Sequence, residues 1–390
     1  MSTASARRAY RGAALFSFGF RPFFLFGSFW AAIAVPVWVW SFLGAAAPVA
    51  HRDWHVHEML FGYLAAIVAG FLTTAVPNWT GRMPVIGGPL AGLAALWVAG
   101  RIAMLGAWWI GPLAAVIDAA FLVVFAGVIW REVIAGRNWR NLPVCGLVSL
   151  LALGNVAFHL DSAIWQSGVG ERLALGAICV LLALIGGRIT PSFTRNWMKA
   201  RRIAPEPAPF SRVDQAALAL TALGGLAWVV APQSVAAGGL LAAAGVANLA
   251  RLARWRGWGA RAEPLVWILH VGYGWLGAGL LLLGAALLDP SIPRTAGVHA
   301  LTAGAVGVMT LAVMTRATRG HTGRELAADP ATTLIYLAIN AAALARVAAP
   351  FAGAHQPTLL IASTALWSLA FAGFTVAYGR MLTRPPPAMA

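Results

Sequence analysis

Twelve apolar runs follow one another along 390 residues, each long enough to cross a hydrocarbon layer, and they leave this chain few folds to choose from. A spanning helix needs about 20 mostly apolar residues. Such runs fall at residues 23–46, 58–78, 87–107, 109–130, 143–160, 172–190, 214–231, 235–252, 265–287, 297–316, 332–349 and 358–380. An average of 32.5 residues per span and connection allows short loops and no separate soluble domain. The runs are continuous rather than alternating, which excludes an outer-membrane barrel. Only 10% of the residues are charged, against roughly 25% in a soluble domain. The sequence therefore reads as an all-α integral membrane protein, twelve transmembrane helices forming one domain over residues 1–390. The first twenty residues contain no apolar region with a small-residue cleavage site, so the first run is expected to remain in the mature chain.

The net charge of +16 would suggest a nucleic-acid partner in a polar chain. Membrane topology explains it without one. If the N-terminus is cytoplasmic, 23 of the 28 Lys and Arg residues fall on inner segments, including Arg7, Arg8, Arg82, Arg137, Arg201 and Arg324. Arg52, Arg172 and Arg294 fall outside, and Arg101 and Arg346 lie within spans. This asymmetry is the positive-inside pattern and places both termini in the cytoplasm. Cys145 and Cys179 both sit in apolar runs, so the chain has no disulfide framework, zinc-type Cys pair or Cys-x-x-Cys-His haem attachment. Arg21, before the first span, reads as a headgroup anchor, and Trp38, Trp40, Trp108 and Trp109 read as interfacial aromatics.

In this topology His51, His55, His57, His159, His299 and His355 lie at the outer face, whereas His270 and His321 lie toward the inner one and read as packing or loop residues. The densest segment is His51-Arg52-Asp53-Trp54-His55-Val56-His57-Glu58. Histidines two apart do not share a helical face, so with His57 turned into the bundle, His55 is expected in the preceding loop. Imidazole is the commonest metal ligand and an axial donor to haem iron, which makes haem or copper reasonable here; capping and water binding at the surface are the alternative.

An internal repeat bears on that choice. Gly62 follows His57 by five residues and Gly304 follows His299 by five, while Thr80-Gly81-Arg82 and Thr322-Gly323-Arg324 stand at identical offsets from the two histidines. Arg101 and Arg346 follow at 44 and 47 residues, and a weaker copy starts near Glu171, with Gly176 and Thr194-Arg195. The expected unit is four helices, repeated over 21–135, 136–255 and 256–384. Two histidines at equivalent depths on the second and tenth spans are what a haem with two imidazole ligands requires, and Arg101 and Arg346 could neutralise its propionates. The competing reading pairs Arg101 with Asp118 in an intramembrane ion pair. Arg346 has no acidic residue in its neighbouring spans.

Five segments give the chain a family likeness: Gly19-Phe20-Arg21-Pro22-Phe23-Phe24; Trp54-His55-Val56-His57-Glu58-Met59 running to Phe61-Gly62-Tyr63; Val76-Pro77-Asn78-Trp79-Thr80-Gly81-Arg82; Gly186-Gly187-Arg188-Ile189-Thr190-Pro191; and Met314-Thr315-Arg316 with Gly320-His321-Thr322-Gly323-Arg324. Together these resemble the NnrS family along the whole chain. The resemblance implies a multi-pass protein of the bacterial cytoplasmic membrane that contains haem and copper and is associated with nitric oxide metabolism and nitrosative stress. The arrangement of spans is also similar to the catalytic subunit of haem-copper oxidases and nitric oxide reductases, which would make His57 and His299 ligands of one b-type haem. The sixth and seventh spans, which supply the second metal's histidines in that superfamily, contain none here. Any copper would then use His51, His55, His159 or His355, with Glu58 or Met59. The expected function is a haem-binding and copper-binding membrane protein acting on nitric oxide or iron-nitrosyl species, its partners being lipid and these small ligands, with no nucleic acid. The alternative from another class is a twelve-helix transporter of a small anion, using Arg101, Asp118 and Arg346.

Overall fold

The computed structural model describes residues 10–44, 51–161, 164 and 166–385; Arg7 and Arg8, assigned above to the inner side, lie outside them. Twelve helices are long and apolar enough to cross a membrane: α1 (Phe20–Phe42), α2 (Arg52–Thr80), α3 (Gly88–Leu105), α4 (Pro112–Ala135), α5 (Trp139–Leu160), α6 (Val169–Ala200), α7 (Arg212–Val230), α8 (Val235–Ala253), α9 (Pro264–Leu288), α10 (Arg294–His321), α11 (Pro330–Phe351) and α12 (Gly353–Thr383). Each apolar run of the sequence has one helix, and no strand occurs among the described residues. The chain is therefore a multi-pass membrane protein. Apolar side chains such as Val230, Val235 and Val376 are exposed, as befits a lipid-facing wall.

α2, α6 and α10 are longer than their apolar runs and are the most buried helices, with 83%, 61% and 78% of their core windows enclosed. Each contains a π-helical turn: Glu58–Leu64 in α2, Leu182–Gly186 in α6 and Ala300–Val306 in α10. A π turn takes in an extra residue and leaves a backbone carbonyl to find another donor. Trp97 Nε1 donates to the Gly62 carbonyl at 2.9 Å, and Arg251 Nη1 donates to the Ala183 carbonyl at 2.7 Å. In α2 and α10 the turn begins one residue after His57 and His299, whereas in α6 it begins eleven residues after Glu171.

The described chain divides into two compact units. The first comprises the described residues within 1–174, 317–325 and 374–385. Within it α1 packs on α2, α3 on α4 and α4 on α5. Arg21 is buried, and its Nη1 donates to the carbonyls of Met381, Leu382 and Arg384 at 2.8–3.2 Å. This corrects the reading of Arg21 as a headgroup anchor: the guanidinium satisfies carbonyls left open at the end of α12. His321 lies against Phe18 and Phe20 in the same unit.

The second unit comprises residues 175–316 and 326–373. α8 packs between α7 and α9. A Cβ at Gly245 would come within 2.7 Å of the Gly277 carbonyl, and one at Gly284 within 2.7 Å of the Gly238 carbonyl, so these glycines permit backbone contact between α8 and α9. Its buried polar centre is Arg251, whose Nε donates to Asp214 at 2.8 Å while Nη1 reaches the Tyr273 hydroxyl at 2.7 Å. Tyr273 in turn donates to Asn248 at 2.6 Å, and His270 meets Thr194 at 2.8 Å. Removing one partner of a buried ion pair leaves the other charge uncompensated, a loss of about 3–5 kcal/mol. Asp214→Ala is therefore expected to lower the unfolding midpoint of the detergent-solubilised protein, and Asp214→Ala combined with Arg251→Met to recover part of that loss.

Candidate functional site

Five helices of the first unit converge on one group of buried polar side chains at the end where α2 begins and α3 ends. α2 supplies His57 and Glu58, both fully buried, at the junction of its first α-helical turns with the π turn. His57 Nδ1 lies 2.9 Å from Glu58 Oε1, and His57 Nε2 lies 3.0 Å from Asp118 Oδ2 on α4. Arg101 on α3 donates through Nη1 to Glu58 Oε2 at 2.6 Å and through Nη2 to Asp118 Oδ1. Trp30 on α1 donates to the same Glu58 oxygen at 2.7 Å. On α5, Asn155 and His159 stand four residues apart, hence on one face. Their side-chain nitrogens reach Asp118 Oδ2 at 2.9 and 3.1 Å.

Small residues make the room for this network. A Cβ on Gly62 would lie 2.4 Å from Arg101 Nη1 and 2.8 Å from Glu58 Oε2, and one on Gly100 would lie 3.2 Å from Asp118 Oδ1. In an apolar surrounding an unpaired charge is costly. Here one guanidinium faces two carboxylates, and both ring nitrogens of His57 face carboxylate oxygens as well, so the charges are compensated inside the group.

Above the network is a cavity of about 190 Å³, walled by His51, Asp53, Trp54, Met104, Trp108 and Phe158, with His57 and His159 reaching it. One ligand atom each from His57, Asp118 and His159 lies within 4.8 Å of the others, close enough to share a metal ion. The donor set, two imidazole nitrogens and one carboxylate oxygen, suits a first-row transition metal. Glu58 holds the far nitrogen of His57, as a carboxylate commonly does behind a metal-bound histidine. Asn155 Oδ1 is buried beside the group with no protein donor.

The residues expected from sequence are thus partly brought together. His57, Glu58, Arg101 and His159 meet; His51 lines the cavity. His55 does not join them: it lies within the first turns of α2, not in the preceding loop, and stacks on Trp38 with ring centroids 4.2 Å apart. His299 and Arg346 belong to the second unit, where His299 Nδ1 lies 2.6 Å from the Thr295 carbonyl. His355 is exposed in the turn that opens α12. Asp118, read from sequence as the ion-pair partner of Arg101 or as an intramembrane charge of a transporter, proves to be the hub. Asn155 and Trp30 had no distinguishing signal beyond being polar atoms in apolar runs, although the four-residue spacing of Asn155 and His159 marks one helix face.

No curated protein matches the chain. The family model described as NnrS protein matches residues 14–385, from before α1 to beyond α12, and so takes in every helix that builds the site. This chain belongs to the NnrS family.

Proposed function

We propose that His57, Asp118 and His159 hold a transition-metal ion, with copper the ion the family resemblance favours, in a membrane protein that acts in nitric oxide metabolism. The observation that carries the reading is the triad itself: three ligand atoms from α2, α4 and α5 within 4.8 Å, with the two histidines lining a cavity. Such an ion supplies a Lewis-acid and one-electron centre for a small ligand entering the cavity. The protein's own groups do the rest. Glu58 orients the His57 ring, and Arg101 and Asn155 fix Asp118. Met104, Trp108 and Phe158 give the cavity apolar walls that suit a small neutral ligand. The end of the first unit opposite the cavity carries Arg82, Arg131, Arg137 and Arg140, so the positive-inside pattern turns the cavity toward the outer face of a bacterial cytoplasmic membrane and the chain termini toward the cytoplasm.

A second reading keeps the expectation of a b-type haem on His57 and His299, with Arg101 and Arg346 near its propionates. Its support is the pair of π turns that begin one residue after each histidine, since π turns concentrate at functional sites. The 190 Å³ cavity is smaller than the roughly 300–1,000 Å³ of cofactor pockets, so a porphyrin does not fit there. A haem would also require His57 to give up one of its two carboxylate partners.

The two readings compete for one imidazole and separate experimentally. Metal analysis of the purified protein is expected to find a single equivalent of copper that is lost in His159→Ala and in Asp118→Asn but kept in His299→Ala; full copper in the first two variants rules the triad out. The haem reading predicts the reverse pattern in the redox absorption spectrum, with the haem bands lost in His299→Ala and retained in His159→Ala. Bands of wild-type intensity in both His57→Ala and His299→Ala eliminate it.

A further inference from the structure

The four helices α1–α4 and the four helices α9–α12 share more than helix order. A Cβ on Gly27 of α1 would meet Ala66 and Ile67 of α2, and one on Gly272 of α9 would meet Val308 and Met309 of α10; both residue pairs are displaced by the same 242 positions that separate His57 from His299. Trp30 approaches the Cβ position of Gly62, and Trp275 that of Gly304. Thr73 bonds the Ala69 carbonyl, and Thr315 bonds the Leu311 carbonyl. Left-handed glycines follow the ends of α2 and α10 at equivalent points, Gly81 with φ 69° and Gly323 with φ 71°. The packing contacts of the first group therefore recur in the last, those between α1 and α2 lying within the first unit and those between α9 and α10 within the second.

Within this frame the polar residues differ. In the register of the repeat, Arg346 on α11 corresponds to Arg101 on α3. Ala300 takes the place of Glu58, and Ser363 takes the place of Asp118. Trp275, which has no carboxylate to meet, donates instead to Asn340 at 3.0 Å, and Ser363 donates to the Ala342 carbonyl at 2.9 Å. Both the Arg294–His299 and Ala300–Val306 segments of α10 pack directly on α11. Among the described residues no carboxylate pairs with Arg346, which is half-buried in a span.

We propose that Arg346 binds an oxyanion, a carboxylate or phosphate group of a ligand, in the space that the Glu58 and Asp118 carboxylates fill around Arg101. A guanidinium offers paired donors in a plane that matches either oxyanion, and the low dielectric strengthens the contact. The ligand thus replaces two acidic side chains that this copy of the frame lacks. The inference rests on residues of the second unit and does not depend on the metal triad.

The test uses the full chain in a neutral detergent and follows its thermal unfolding with four probes: phosphatidylglycerol, inorganic phosphate, haem and haem dimethyl ester. At least one of the three anionic probes is expected to raise the wild-type midpoint, and the shift is expected to vanish in Arg346→Ala. It is also expected to vanish in Ala300→Glu, where the new carboxylate occupies the guanidinium from within, and in Ser363→Asp, which does the same from α12 and serves if Ala300→Glu fails to fold. A shift with phosphatidylglycerol alone identifies a lipid headgroup, one with inorganic phosphate a free anion, and one with haem but not its ester a propionate. Absence of any shift in wild type, or a shift undiminished in Arg346→Ala or in the acid-bearing variants, overturns the proposal. Copper content, measured on the same samples, reports the triad separately and is expected to be unchanged in Arg346→Ala.

Discussion

A guanidinium inside an apolar bundle has to be neutralised by groups placed within a few ångströms, and in this protein that requirement organises the first unit. Arg101 reaches Glu58 on α2 and Asp118 on α4, so three helices are held at one depth by a single planar group. Each carboxylate then has lone pairs left over. Trp30 on α1 satisfies Glu58, while Asn155 and His159 on α5 satisfy Asp118. All five helices are thereby committed to one arrangement, since a displaced member would leave a charge or a donor unsatisfied where water does not compensate. Gly62 and Gly100 belong to the same constraint, because a side chain at Gly62 would occupy the guanidinium's space and one at Gly100 would press on Asp118.

The π turns are the backbone's part in this. His57 and Glu58 are consecutive, and both must be fully buried in contact with groups on other helices. Widening the helix just after them changes the angular step between residues and frees carbonyls that polar side chains can use. Trp97 takes one at Gly62 and also lies beneath Arg101, 5.8 Å from ring centroid to guanidinium carbon. In the second unit Arg251 takes the corresponding opening at Ala183. A buried arginine and an open π turn are complementary defects: one brings excess donors, the other an unsatisfied acceptor.

How much of this was legible beforehand follows from the range of each signal. Spans are visible because hydropathy sums over about 20 residues, and every run found its helix. The ends were less visible where polar residues continue a helix, as from Arg52 to His57 in α2 and along the Arg- and Thr-rich end of α6, because a hydropathy window stops at the first charge although the backbone does not. Single polar residues in spans announced themselves when ionisable: His57, Glu58 and Arg101 could be picked out one by one. Their partners could not, since Asn155 and Trp30 look like ordinary packing and interface residues until three-dimensional proximity is known. Arg21 misled for the opposite reason. Its position before a span is that of a headgroup anchor, but the end of α12 offers it three carbonyls.

Asp118 carries the argument from fold to chemistry. Its carboxylate faces Arg101, His57, Asn155 and His159 at once, more donors than a structural ion pair needs. Arg101 alone would balance one carboxylate, and a bundle built only for stability would gain more from apolar packing than from buried charge. Two carboxylates, two imidazoles and one guanidinium instead form a set in which the nitrogens of His57 and His159 converge on one oxygen beside a cavity. On the proposed reading a cation would sit at that convergence, held by His57, His159 and Asp118 Oδ2, and Arg101 would continue to hold the other oxygen. The network that fixes five helices and the network that would hold a metal ion are therefore the same atoms, differing only in which partner occupies the space between two imidazoles and a carboxylate.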